Sequence, residues 1–82
     1  MLAKIHITFK NGVLDPQGKA VHYALKDLGY DEVSRIQMGK YLEVHIDGLS
    51  REAAETRVKE MCEKLFANTV IESYQFTLES VE

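Results

Sequence analysis

The hydrophobic periodicity of this chain switches between two and about 3.6 twice along its length, and few small folds accommodate that alternation. From Met1 to Lys10, Ile5, Ile7 and Phe9 alternate with Lys4, His6, Thr8 and Lys10, the pattern of a half-buried strand. Asn11-Gly12 supplies a turn. Asp15 can cap free N–H groups, and Pro16 suits the first helical position, where no N–H is needed. Val21, Ala24, Leu25 and Leu28 then form one apolar stripe, and Gly29 ends the helix. Val33 to Met38 reads as a weaker strand, because Val33 is out of phase with Ile36 and Met38. Gly39-Lys40 reads as a tight turn with positive φ at Gly39, leading into Leu42, Val44 and Ile46, which alternate with Tyr41, Glu43 and His45. Ser50 caps a second helix whose inner stripe is Ala54, Val58, Met61, Cys62 and Leu65, with Asn68 placed to terminate it. Tyr74, Phe76 and Leu78 alternate in a last strand.

The order is βαββαβ. Right-handed crossovers put both helices on one face of an antiparallel four-stranded sheet, an α+β, ferredoxin-like two-layer sandwich with the first and third strands central. Residues 1–82 read as a single domain, too short for two. A chain of this size buries only roughly 60% of its unfolded surface. Its core is therefore thin, leaves little room for a deep ligand cavity, and gains from association with copies of itself or with a partner.

Net charge is −3, with acids and bases interspersed, which disfavours nucleic-acid binding. No apolar run approaches the ~20 residues of a membrane span. The strand pattern begins at once, which leaves no room for a signal peptide. One cysteine cannot build a disulfide framework. These features point to a cytoplasmic protein.

Residues that could carry chemistry are present but scattered. His6 and His45 fall on the helix-free face of strands expected to be neighbours. Zinc, however, wants four ligands, and neither a second cysteine nor a short His-x-x-x-His spacing exists. Cys62 lies in an apolar stripe, the place of a small buried hydrophobe and not of a reactive thiol. The carboxylates lie on no apolar background that would raise their pKa for acid–base work. There is no glycine-rich phosphate loop, and Asp15 itself occupies the anion position at the first helix. Gly18 is unusual, since glycine in the first turns of a helix costs up to ~1 kcal/mol against alanine; either a neighbouring backbone packs close by, the favoured reading, or a partner approaches there. The helix-free face carries Lys4, His6, Thr8, Tyr41, Glu43, His45, Gln75 and Thr77, a polar surface suited to solvent or to a wet subunit contact.

Three stretches together resemble a known family: Gly12-Val13-Leu14-Asp15-Pro16-Gln17-Gly18-Lys19-Ala20-Val21, then Met38-Gly39-Lys40-Tyr41-Leu42-Glu43, then the run from Met61 to Tyr74. The chain resembles the PurS family, the small subunit of phosphoribosylformylglycinamidine synthase (formylglycinamide ribonucleotide amidotransferase), over almost its whole length. Phe66 stands where that family often has leucine, and Thr69 where it often has proline. The resemblance implies a non-catalytic assembly subunit in de novo purine biosynthesis. It would bridge a glutaminase subunit, which releases ammonia, and an ATP-dependent synthetase subunit, which uses the ammonia to make the amidine. It would also help ammonia pass between them. ATP, magnesium and glutamine would belong to the partner subunits, with no cofactor on this chain. A homodimer or dimer of dimers is implied, with no nucleic acid and no membrane.

The candidate contact residues are Lys40 and Tyr41 at the expected hairpin, Glu43 and His45 on the open face, and Asn68 after the second helix. The alternative is an amino-acid-sensing regulatory module of the ACT type, which shares the βαββαβ order. An acylphosphatase-like enzyme would need an arginine in the loop after the first strand, and that loop has none.

Overall fold

A computed structural model describes residues 1–80. Three of the period-two segments form strands: β1 (Leu2–Phe9), β2 (Gly39–His45) and β3 (Glu72–Glu79). They make an antiparallel sheet in the order β2-β1-β3, with Ile5 opposite Leu42 on one side and Phe76 on the other. This register puts Ala3, Ile5, Ile7, Leu42, Val44, Tyr74, Phe76 and Leu78 on one face. Lys4, His6, Thr8, Tyr41, Glu43, His45, Gln75 and Thr77 occupy the other, as the alternation predicts.

The apolar face is buried by α2 (Arg51–Met61), which Ser50 opens by accepting the Ala53 N–H on its Oγ at 3.2 Å. Ala54, Val58 and Cys62 join Ala3, Ile5 and Ile7 in a fully buried cluster. The stripe does not continue to Leu65. Residues Cys62–Phe66 form a π turn, in which Ala67 N–H reaches back five residues to Cys62 O at 2.9 Å. The wider turn advances the phase by one residue, so Phe66 packs on the core and Leu65 is 79% exposed. Asn68 therefore does not end a helix. It heads the turn into β3, accepting Val70 N–H on its side chain at 3.2 Å and the Ile71 and Glu72 amides on its carbonyl.

The expected fourth strand is absent, so the sheet is three-stranded and the four-stranded ferredoxin-like layout is not what forms. The segment 33–38 runs instead as a strap along α1 (Pro16–Asp27). Its backbone polar groups are engaged there. Val33 O lies 2.8 Å from His22 Nε2, Met38 N–H donates to Asp15 Oδ2 at 2.9 Å, and Ile36 O lies 2.6 Å from where a Cβ on Gly18 would stand. Without a consistent period-two face, the segment had no row of side chains to bury against a sheet. Its out-of-phase Val33 was the sign of this.

With no strand at 33–38 there is no hairpin at Gly39-Lys40. Gly39 opens β2 opposite Thr8 and is not among the glycines with positive φ. It is required for closeness: a Cβ there would lie 2.5 Å from Ile7 O.

Both helices were expected on one face of the sheet, yet only α2 packs in the core. No apolar residue of α1 belongs to that cluster, and Gly18 is its one buried residue. Leu25 is half-buried, while Val21, Ala24 and Leu28 lie open. The chain is accordingly elongated, 50 × 30 × 14 Å, with a radius of gyration of 16.3 Å. A compact chain of this length would have roughly 12 Å.

Candidate interaction surfaces

The five candidate contact residues divide between two places. Tyr41, Glu43 and His45 alternate on the open face of β2. There the Tyr41 hydroxyl donates to Glu43 Oε2 at 2.9 Å, and its ring meets His6 with centroids 4.7 Å apart. Lys4 pairs with Glu79 at 3.0 Å across β1 and β3. The Glu79 hydrogen bond and charge raise the Lys4 pKa, and desolvation followed by the Glu43 hydrogen bond raises that of Tyr41. His6 and His45 do not come together. His6 faces Tyr41 and His45 faces Leu2, four positions further along β2, a separation of roughly 13 Å at the rise of a strand.

Lys40 and Asn68 meet on the helix-bearing side, through Glu72. Lys40 Nζ lies 3.5 Å from Glu72 Oε2 and donates to Phe66 O at 3.4 Å, while Asn68 N–H donates to Glu72 Oε1 at 2.7 Å. This knot fixes the chain between the π turn and β3. The same stretch leaves Leu65 and Val70 open, at 79% and 81% exposure.

Sequence periodicity missed a third surface by assigning it to the core. On a helical wheel Gly18, His22 and Leu25 share the side of α1 that faces the strap. Gln17, Val21, Ala24 and Leu28 share an adjacent side that is exposed. Gln17 lines a groove of about 240 Å³ with Ile7, Met38 and Lys40, so the first turn of α1 borders the start of β2. The usable signal was Gly18. Its missing side chain commits one side of α1 to the strap, and only the other side remains for an outside partner.

None of these surfaces is built for reaction. Burial, then the Glu63 charge, pushes the Cys62 thiol up, away from the thiolate a nucleophile requires. Among the described residues no three His, Cys, Asp or Glu side chains gather as a metal site, and no helix is long and apolar enough to cross a membrane. The polar knots fasten the scaffold, and the apolar stripe is left over.

Such a fold defines a docking subunit, a domain that presents surfaces to other chains. The profile of the PurS family, described as phosphoribosylformylglycinamidine (FGAM) synthase, matches residues 2–80, and the chain belongs to that family. It is 49% identical over 78 residues to the phosphoribosylformylglycinamidine synthase subunit PurS of Bacillus subtilis, covering 95% of this chain and 92% of that one. The solved Bacillus subtilis PurS structure superposes with a TM-score of 0.87 at 47% identity, over 96% of this chain and 98% of that one. A chain of the PurLQS structure from Thermotoga maritima matches with a TM-score of 0.78 at 28% identity, over 94% and 96% of the two chains. The family supplies a subunit of FGAM synthase, an ATP- and glutamine-dependent ligase complex of purine biosynthesis, and the ACT-type reading is not favoured.

Proposed function

We infer that this chain is the non-catalytic assembly subunit of an FGAM synthase, joining a glutaminase subunit to an ATP-dependent synthetase subunit and helping ammonia pass between them. The observation that carries the reading is the open apolar stripe of α1, on a scaffold where no three His, Cys, Asp or Glu side chains gather among the described residues. The Thermotoga maritima relative, whose structure is that of a PurLQS assembly, supports it. ATP, magnesium and glutamine are handled by the larger subunits. The work is cytoplasmic, in keeping with one free, buried cysteine.

The subunit first pairs with a copy of itself. A layer 14 Å thick has one helix covering its apolar side, and Leu42, Val44, Tyr74 and Phe76 are only half-buried. Val21, Ala24 and Leu28 of α1 are exposed and lack a cover of their own. A second copy related by a twofold axis supplies both needs at once, since each copy then lays its α1 stripe toward the other's uncovered sheet. The polar face with Tyr41, Glu43 and His45, together with Lys40 and Asn68 on the helix-bearing side, stays available to the catalytic chains or to a second dimer.

The test is reconstitution. The purified chain alone should turn over nothing, and adding it to its synthetase and glutaminase partners should permit glutamine-dependent amidation. Full glutamine-dependent activity of the two larger subunits without this chain would refute the assembly role.

A further inference from the structure

Asn11 and Gly12 form the turn that leaves β1, and the assembly role makes no use of them. Lys10 O accepts the Val13 amide at 3.1 Å across them, which makes residues 10–13 a β-turn. Gly12 has φ 85°, and Asn11 is not among the residues with positive φ, the pattern of a type II turn. Both residues are exposed, and a Cβ at Gly12 would meet nothing within 4 Å. Among the described residues neither the Asn11 side chain nor the Gly12 amide has a hydrogen-bond partner.

Asparagine is among the thermolabile residues, because its side-chain carbonyl lies within reach of the next backbone nitrogen. Glycine has no Cβ to obstruct that approach. The turn itself is the brake. In type II geometry ψ of the first central residue is about +120°, which turns the Gly12 nitrogen away from Asn11 Cγ. Attack needs that bond to rotate, and one exposed hydrogen bond, Val13 N–H to Lys10 O, resists it. Segments held so lightly open locally at small cost. Asn68, the other asparagine of the chain, is the opposite case. Its Oδ1 accepts the Val70 amide at 3.2 Å and its own amide donates to Glu72 at 2.7 Å. The residue after it is Thr69, whose branched side chain crowds its nitrogen.

We propose that Asn11 is a site of spontaneous covalent modification, passing through a cyclic imide to isoaspartate and aspartate. The Gly12 nitrogen gives up its proton and bonds to Asn11 Cγ. The Cγ–Nδ2 bond breaks, and Nδ2 leaves with that proton as ammonia. One water then opens the ring. Cleavage between Gly12 N and Cγ gives aspartate, and cleavage between Gly12 N and the Asn11 main-chain carbonyl carbon gives isoaspartate. Nothing is oxidised or reduced. Either product takes the net charge from −3 to −4. Isoaspartate also adds one carbon to the main chain between two anchors. On one side the Lys10 amide donates to Ile71 O at 2.8 Å, and on the other Asp15 holds the Gly18 and Met38 amides. The link from the sheet to α1 is thereby loosened. The inference is independent of the assembly role and rests only on the turn.

Peptide mapping by mass spectrometry tests this, on the folded chain incubated in mildly alkaline buffer beside a synthetic peptide of residues 8–14. The fragment holding Asn11 should gain one dalton and contain both isoaspartate and aspartate, while the fragment holding Asn68 keeps its amide. Conversion should slow in mildly acidic buffer, since the Gly12 nitrogen must lose its proton. The folded chain should react no more than about tenfold more slowly than the peptide, the resistance of one exposed hydrogen bond. Asn11→Ser should abolish the gain. An Asn11 that survives in the folded chain while the peptide converts completely would overturn the proposal. So would equal loss at Asn68, a product free of isoaspartate, or a gain that persists in Asn11→Ser.

Discussion

Asp15 and Met38 are joined across 23 residues by one carboxylate oxygen, Oδ2, which accepts the Met38 amide at 2.9 Å while Oδ1 accepts that of Gly18 at 2.9 Å. A single side chain thus caps α1 and fixes the residue that precedes β2. These two amides, Met38 first, hold the Asp15 pKa below the ordinary carboxylate value. A depressed folded-state pKa means that the ionised carboxylate stabilises the fold above its unfolded-state pKa, and that this contribution is lost as pH falls through the lower folded one. Asp15→Asn should therefore melt at a lower temperature than the natural chain at neutral pH. The gap should close below the ordinary carboxylate range, and melting curves from pH 7 down to pH 2 check this.

Gly18 faces the strap so closely that a Cβ would lie 2.6 Å from Ile36 O and 2.7 Å from Asp15 Oδ2. At an open helical site Gly→Ala stabilises by up to about 1 kcal/mol. Here overpacking against backbone outweighs that gain, and Gly18→Ala should cost ~1–3 kcal/mol in denaturant unfolding. A neutral or stabilising result would mean that the strap yields freely.

How much of this was legible in the sequence differs from element to element. Strands 1–10 and 41–46 and the last strand were readable because each alternates without interruption, and their shared face follows from that alternation alone. Asp15, Pro16 and Ser50 marked helix starts through chemistry that acts locally. Leu65 was misplaced because periodicity assumes an unbroken α-helix, and one five-residue hydrogen bond shifts the phase. The segment 33–38 was misread because its backbone partners lie on α1, 11 to 23 residues earlier. No local pattern specifies such partners. Tyr41, Glu43 and His45 were correctly grouped on one face, whereas Lys40, one residue away, points to the opposite side by the same alternation. The open stripe of α1 was invisible for a deeper reason: an apolar stripe looks the same whether it faces its own sheet or another chain.

Ile5 and Leu65 stand at opposite extremes of burial. Ile5 is fully buried at the centre of the sheet, so Ile5→Ala should cost ~2–5 kcal/mol through the cavity it leaves. Leu65→Ala, at a site 79% exposed, should stay within about 0.5 kcal/mol. Urea titrations of the two variants separate the cases. A large loss at Leu65 would mean that α2 continues as a regular helix with its stripe unbroken, or that the residue is buried in an assembly.

The pairing of subunits through α1 makes the most demanding prediction, because the residues involved contribute little to the isolated fold. Leu28 is 73% and Val21 39% exposed within one chain, so replacing both by glutamate should barely alter the circular dichroism spectrum. If the stripe is covered by a second copy, the same change places unpaired carboxylates in a desolvated contact. That costs roughly 3 kcal/mol or more and weakens pairing at least about hundredfold. Sedimentation equilibrium at micromolar concentration should give the natural chain a mass of two or more copies, and Val21→Glu/Leu28→Glu one near the single-chain 9.3 kDa. The variant should also fail in reconstitution, since a subunit that bridges two enzymes must first complete its own layer. A natural chain that sediments as a monomer would leave α1 without the cover argued for it and would return the stripe to the catalytic subunits as their docking surface.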